Sequence, residues 1–325
     1  MRADAVGGWP RLAAVWCSAY GAANVWWLAN PGSPFAPPEE VFSPGRWMAV
    51  ALAFSAAVAC SLIAAGAGQR RPAPARWTLV GVAWVAGAGL ILYSYMLAIS
   101  VATLLFGEVD DWGSLLARAA GATAGALTLV CAVAEQRRVR RACPHCARVH
   151  GRSPERRTDP APWWARLAAY VAIAGCSVRV AALILDSVTA HRPPFALGTP
   201  FAVFVVLLIL AGTLLPLALV HRFGRIWPRW VVPLAGRDVP RWLVLGPAWF
   251  VGAGLAGYFG VAGMAAWLLG EGNLAQAPVW RVSMEMFGYT AWGLGLLVAA
   301  VSYYGLTRPA CPLPNSPYRV PMPLA

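Results

Sequence analysis

Eight apolar runs follow one another along the chain, each near or above the roughly 20 residues a helix needs to cross a hydrocarbon layer. They are Arg11–Leu28, Trp47–Ala67, Trp77–Phe106, Ser114–Ala134, Ala165–Ser187, Phe201–Val220, Trp242–Leu269 and Ser283–Leu306. The third is longer than a perpendicular crossing requires, which predicts tilt or an extra turn. Polar segments rich in proline and glycine, such as Asn30–Pro44 and His191–Pro200, separate the runs. No stretch alternates with period two, as the strands of a membrane barrel do. The expected fold is all-α and integral to a membrane, with eight transmembrane helices.

Composition agrees. Of 325 residues, 59% are apolar and only 12% charged, with a mean hydropathy of +0.59. Soluble domains carry about twice that share of charge. The net charge of +13 comes from 26 basic residues, all of them arginine. These arginines lie between apolar runs rather than on the basic face of a soluble fold, so nucleic acid is not an expected partner; the lipid bilayer is. The amino terminus, the loops after even-numbered runs and the tail, counted with Arg11 and Arg166 at the adjoining run ends, hold 21 arginines against five acidic residues. The opposite loops hold Arg46, Arg192 and Arg281 against six acids. By the positive-inside rule both termini are expected in the cytoplasm of a cell whose plasma membrane the chain spans. The Arg-rich segment Glu135–Arg157 is then placed to meet anionic lipid head groups.

The two halves resemble each other. Arg76–Tyr93 reads RWTLVGVAWVAGAGLILY and Arg241–Tyr258 reads RWLVLGPAWFVGAGLAGY, identical at ten of eighteen positions without a gap. Arg11–Ala14 matches Arg166–Ala169 at the start of the first and fifth runs, and an Ala-Cys-Pro triplet follows the fourth and the eighth. A duplicated four-helix unit accounts for all three landmarks. Four crossings return the chain to its starting side, so the expected repeats are parallel and related by a pseudo-twofold along the membrane normal, with a ligand site between them. The boundaries read as 1–134 for the first repeat, 135–163 for an Arg-rich loop, 164–307 for the second repeat and 308–325 for a tail. The charged start of the first run would also fit a cleaved signal peptide, but the repeat assigns it a structural helix. Gly87, Gly89, Gly252, Gly254 and the Gly121-x-x-x-Gly125 pair suit close helix packing.

Ionisable residues inside a span cost at least about 2.5–3.5 kcal/mol each near its centre, and four stand out: Arg118, Arg179, Asp186 and Glu285. At 1.5 Å per residue Arg179 sits about 20 Å above the cytoplasmic end of its helix, with Asp186 two turns further on nearly the same face. Arg118 and Glu285 fall at equivalent places in spans four and eight. The repeat also pairs Arg179 with Asn24 and Tyr93 with Tyr258, all at similar depth toward the outer side. Two readings follow. Two arginines and two carboxylates can neutralise each other and hold the bundle in register. Alternatively, these seven residues line an outward-facing polar cavity that binds an anionic or zwitterionic small molecule or lipid through Arg179 and Arg118.

Cys17, Cys60, Cys131 and Cys176 lie within spans and read as small packing residues. Cys143-Pro-His-Cys146, with His150 following and Cys311 at the repeat-equivalent place, is different. The tetrapeptide is similar to the active site of periplasmic disulfide oxidoreductases, but the loop is too short for a thioredoxin-like domain and lies on the cytoplasmic side. Zinc is the alternative cofactor: two thiolates two residues apart form a knuckle that His150 and Cys311 complete as Cys3His. Free thiols are the simpler reading. His145 lies inside the knuckle, and His191 and His221 at span ends, which gives haem ligation no support.

The opening RLAA…Asn24-Val-Trp26-Trp27 and the stretch Trp227–Arg241 resemble uncharacterised multipass membrane proteins of high-GC actinobacteria. In those proteins histidine more often stands where this chain has Asn24. Pro38-Glu39-Glu40 is similar to the Pro-x-Glu-Glu element of small membrane carotenoid cyclases, but it stands alone in one loop. Three function classes remain: a small-molecule or lipid binder or transporter using the outer polar cavity, a membrane enzyme acting on a lipid or isoprenoid through Glu285 or Asp186, and a structural or regulatory scaffold. No nucleotide-binding loop or metalloprotease motif points to an energised pump or a familiar hydrolase.

Overall fold

The computed structural model describes residues 8–31, 33, 45–66, 73–105, 112–140, 143, 159–189, 199–229, 231–269 and 278–308. Among them the architecture is all-helical, with one isolated bridge between Ile226 and Asp238 and no strand. The chain divides into two compact units, one within Met1–Pro154 and one within Glu155–Arg308.

The first unit contains α1 (Gly8–Ala29), α2 (Arg46–Ala64), α3 (Ala73–Tyr93), α4 (Leu97–Leu105) and α5 (Trp112–Val139). In it α1 packs on α2 and α5, and α3 packs on α2 and α5. The second contains α6 (Trp163–Thr189), α7 (Thr199–Val220), α8 (Arg241–Leu255), a π-helical segment (Ala256–Gly263), α9 (Met264–Leu269) and α10 (Val279–Leu306). Here α10 lies against α6, α7 and α8, while α7 also touches α6 and α8.

Six described helices are long and apolar enough to cross a membrane: Arg46–Ala64, Pro74–Tyr93, Trp112–Val139, Trp163–Thr189, Arg241–Leu269 and Val279–Leu306. Among the described residues, six of the eight expected spans meet both measures. α1 has 22 residues, but four tryptophans, Arg11 and Asn24 dilute its hydropathy; α7, also of 22 residues, contributes the apolar stretch Val206–Val220.

Which side chains face inward supports the bilayer as solvent. The interiors of both units are built largely of alanine, including Ala13, Ala53, Ala83, Ala124, Ala169, Ala172, Ala248 and Ala299. Large apolar side chains such as Val15, Val58, Val85, Leu116, Leu207 and Val301 are exposed. In water that distribution would forfeit most of the hydrophobic driving force. In lipid, small residues at helix contacts let backbones approach, which is how membrane helices associate. Seven helices also begin with an exposed tryptophan (Trp9, Trp47, Trp77, Trp112, Trp163, Trp242 and Trp280), where an aromatic belt is expected at the membrane surface. The chain is a polytopic membrane protein.

The glycine contacts fix helix registers. A Cβ on Gly87 would meet Leu129 at 3.0 Å and the Gly125 carbonyl oxygen at 3.1 Å; one on Gly252 would meet Leu297 at 3.0 Å and the Gly293 carbonyl oxygen at 3.2 Å. Conversely, a Cβ on Gly125 would meet Gly87 O and Ile91 N, and one on Gly293 would meet Gly252 O and Ala256 N. The α3–α5 and α8–α10 contacts therefore use corresponding residues. The register that aligns Gly125 with Gly293 pairs Glu285 with Ala117, not with Arg118 as expected from the sequence.

Other expectations change too. The long third run is interrupted: α3 stops at Tyr93, the 94–96 turn follows, and α4 begins at Leu97. The hydroxyl of Ser94 donates to Leu90 O at 3.0 Å, and Tyr95 N and Leu97 N make tight bonds to Leu92 O and Ser94 O, so local bonding replaces the α-helical ladder. Residues 94–96 align with 259–261, inside the π-helical segment. Both units therefore depart from regular α-helix at the same place. The fourth span runs beyond Ala134 to Val139, because Glu135 is not a loop residue. Its buried carboxylate pairs with Arg76 at 3.0 Å and Arg138 at 3.5 Å, joining the ends of α3 and α5.

Candidate functional site

The seven polar residues expected to line one cavity distribute over the two units. In the first, Asn24 is buried and its side-chain amide donates to Tyr20 O at 2.9 Å. Arg118 Nη1 donates to the hydroxyl of Ser100 at 2.7 Å, tying α5 to α4. Tyr93 is the last residue of α3. In the second unit, Arg179 of α6 and Glu285 of α10 form an ion pair, Nη2 to Oε1 at 3.2 Å, and Tyr258 lies in the π-helical segment. Asp186 pairs instead with Arg281 at 3.2 Å. Arg281, expected in a loop, lies in the first turn of α10, because Pro278 starts that helix. That second pair is roughly 40% exposed at both ends and contributes little.

Around Arg179 the sequence reading named Tyr258 but missed Phe259, Tyr289 and Trp292. Arg179 Nε donates to the Tyr289 hydroxyl at 2.9 Å, and its guanidinium carbon lies 5.3 Å from that ring's centre. Glu285 and Tyr289 are four residues apart, so α10 presents both to α6 on one face. The Tyr289 ring stacks on Phe259 at 3.9 Å and on Trp292 at 6.0 Å, and Tyr258 meets Phe259 edge-on at 4.7 Å. A cation–π contact, a hydroxyl and a carboxylate thus converge on one arginine in an otherwise apolar helix layer. The i, i+4 spacing of Glu285 and Tyr289 was the available signal, but the register against α6 and the third helix is not written in any one helix.

The site is open as well as charged. Side chains of Arg179 and Glu285 are each 20% exposed. Among the described residues, Arg179 Nη1 has no hydrogen-bond partner and the Glu285 carboxylate accepts no hydrogen bond, since the ion pair lacks hydrogen-bond geometry. Neither side chain is among the sealed, unsatisfied polar groups of the interior. Their remaining bonding capacity is therefore not sealed in the interior.

The first unit builds the same place differently. Arg179 corresponds to Asn24, Glu285 to Ala117, Tyr289 to Gly121 and Phe259 to Ser94. A Cβ on Gly121 would meet the Tyr20 hydroxyl at 2.6 Å and Ser94 Oγ at 2.7 Å. Tyr20 of α1 thus lies where a side chain at position 121 would project. Neither charge is present.

A second cluster, of thiols, lies in the first unit. Cys17, Cys60 and Cys131 come from α1, α2 and α5 and are buried; Cys17 Sγ is 3.4 Å from Thr128 Oγ1. No group of three or more ligating residues among those described is arranged to hold a metal ion. Of the expected zinc ligands, Cys143 is described and half-buried, whereas Cys146, His150 and Cys311 lie outside the described residues.

No known protein family matches this chain, and no curated protein or solved structure shows significant similarity to it.

Proposed function

We propose that the chain is a plasma-membrane protein of duplicated four-helix units, eight crossings in all, that binds a small molecule or lipid at the Arg179–Glu285–Tyr289 cluster of its second unit. One observation carries this reading. The first unit packs the same helices with Asn24, Ala117 and Gly121 in place of the three site residues, so the fold itself does not require charges there. Keeping an arginine and a carboxylate in an apolar layer costs stability that function must offset. The π-helical segment beside the cluster supports the reading, since such segments recur at functional sites. The matched Gly87–Gly125 and Gly252–Gly293 contacts support the duplication. α1 and α7 complete the eight crossings, with both termini cytoplasmic and Arg140, which lies 5.6 Å over Trp77, among the arginines facing anionic head groups. A site between the units is not needed for this function, because the cluster belongs to one unit. No general acid or base pair is invoked.

The test is chemical analysis of what the protein carries. Wild-type protein purified in mild detergent should yield a small molecule or lipid at near-equal stoichiometry on solvent extraction. Arg179→Gln should yield at least tenfold less. Equal recovery from a well-folded Arg179→Gln protein would remove the cluster from the binding site.

A further inference from the structure

We infer that the ligand of this cluster is electrically neutral and carries a flat ring whose oxygens are carbonyls in the oxidised form and hydroxyls in the reduced form, the chemistry of a lipid-soluble quinone and its quinol. The inference rests on the binding reading above and adds the ligand's class. Three features select it. First, Arg179 and Glu285 already neutralise each other, so an anion entering the site would face a carboxylate about as near as the guanidinium. This departs from the anionic or zwitterionic ligand expected from the sequence. Second, the unused capacity is mixed: Arg179 Nη1 offers N–H donors, and the Glu285 carboxylate offers acceptor sites. Acceptor oxygens fill the Arg179 side, and oxygens that also carry a proton fill the Glu285 side as well, which matters because unpaired groups in an apolar layer are costly. Either form accepts from Arg179 through a ring oxygen, and only the quinol also donates a hydroxyl to Glu285. Third, the wall beside these groups is aromatic. Phe259 lies on Tyr289 with their planes 19° apart, and Tyr258 closes against the Phe259 ring edge-on. Phe259 and Tyr258 are each only half-buried, so ring surface remains for a flat molecule to stack on. An alkyl or isoprenoid tail then lies among the exposed apolar side chains of the helices, where lipid chains already run.

Full-length protein in phosphatidylcholine nanodiscs, titrated with a benzoquinone carrying one prenyl unit, in its oxidised and its reduced form, and separately with palmitate, tests the class. Melting temperature and native mass spectrometry report occupancy. The quinone is expected to bind saturably at one site per chain, and palmitate not to. Phe259→Leu, which keeps the apolar volume but removes the ring, should weaken quinone binding about tenfold. Glu285→Gln should weaken the quinol more than the quinone and admit palmitate, because the countercharge is gone. Palmitate binding to wild type as tightly as the quinone, and lost in Arg179→Gln, would overturn the neutral-ring inference while leaving the binding reading intact. Saturable binding of neither probe, in a protein that also yields no extracted ligand, would overturn both. Quinone binding unaffected by Phe259→Leu and Glu285→Gln would move it to another site and refute the assignment.

Discussion

Replacing Arg179 by leucine is expected to lower the melting temperature of the detergent-solubilised protein by several degrees, and replacing Glu285 by leucine in the same chain is expected to restore most of the loss. The single change strands the Glu285 carboxylate among apolar side chains and removes the donor to Tyr289. Breaking a fully buried pair costs roughly 3–5 kcal/mol, whereas replacing both partners by apolar groups is often neutral or stabilising. Here both side chains keep 20% exposure, so a cost of about 2–3 kcal/mol is expected for the single variant. The double variant matters more than the single one. Its recovery would show that the pair is not retained for stability, in keeping with the first unit, which folds with Asn24 and Ala117 in these places. If the double variant were as unstable as the single, the pair would be structural and the argument from duplication would fail.

The second large effect concerns the α6–α10 contact. A Cβ on Gly175 would run into the Gly288 carbonyl oxygen and come within 2.7 Å of Trp292 N, both of them backbone atoms that no rotamer change can move. Gly295 repeats the situation two turns lower, with Ala168 O at 2.5 Å and Ala172 N at 2.8 Å. Gly175→Ala should therefore push the two helices apart at the level of Arg179, at a cost of roughly 2 kcal/mol, as overpacking does elsewhere. Gly246→Ala, on α8 with nothing within 4 Å of its Cβ, is the matched control and should leave stability unchanged or slightly raised. Thermal unfolding of the two variants side by side decides the point; equal melting temperatures would contradict the backbone contact. Because α6 carries Arg179 and α10 carries Glu285, Gly175→Ala should also reduce ligand retention.

How much of this was legible in the sequence follows from what each signal encodes. Apolar runs encode length and burial in lipid, so α2, α6, α8 with its extension and α10 fall close to the runs that predicted them. Runs do not encode local competition for backbone bonds. The break at Ser94 therefore passed as one long span, and the π-helical segment at 256–263 left no pattern beyond its glycines. Charge misled at helix ends. Glu135 and Arg281 read as loop residues, yet Glu135 lies inside α5, paired with Arg76 of the neighbouring helix, and Arg281 lies in the first turn of α10, which Pro278 starts. The polar residues were found, with their depth and face, since a helix fixes both. Their partners were not, because which helices are neighbours is a tertiary fact. Arg179 meets Glu285 but Asp186 meets Arg281, and Arg118 is tied to Ser100. The aromatic stack was missed for the same reason: Phe259 comes from the third helix of its unit, and Tyr289 and Trp292 from the fourth.

The central claim is that the second unit turned a structural layer into a binding site by adding charge and aromatic surface. Native mass spectrometry on the Arg179→Asn/Glu285→Ala variant tests it most directly, because these are the first unit's own residues at the corresponding places. The expected spectrum shows a folded chain without the extra mass that wild type retains. A variant that keeps the same bound mass as wild type would contradict the claim.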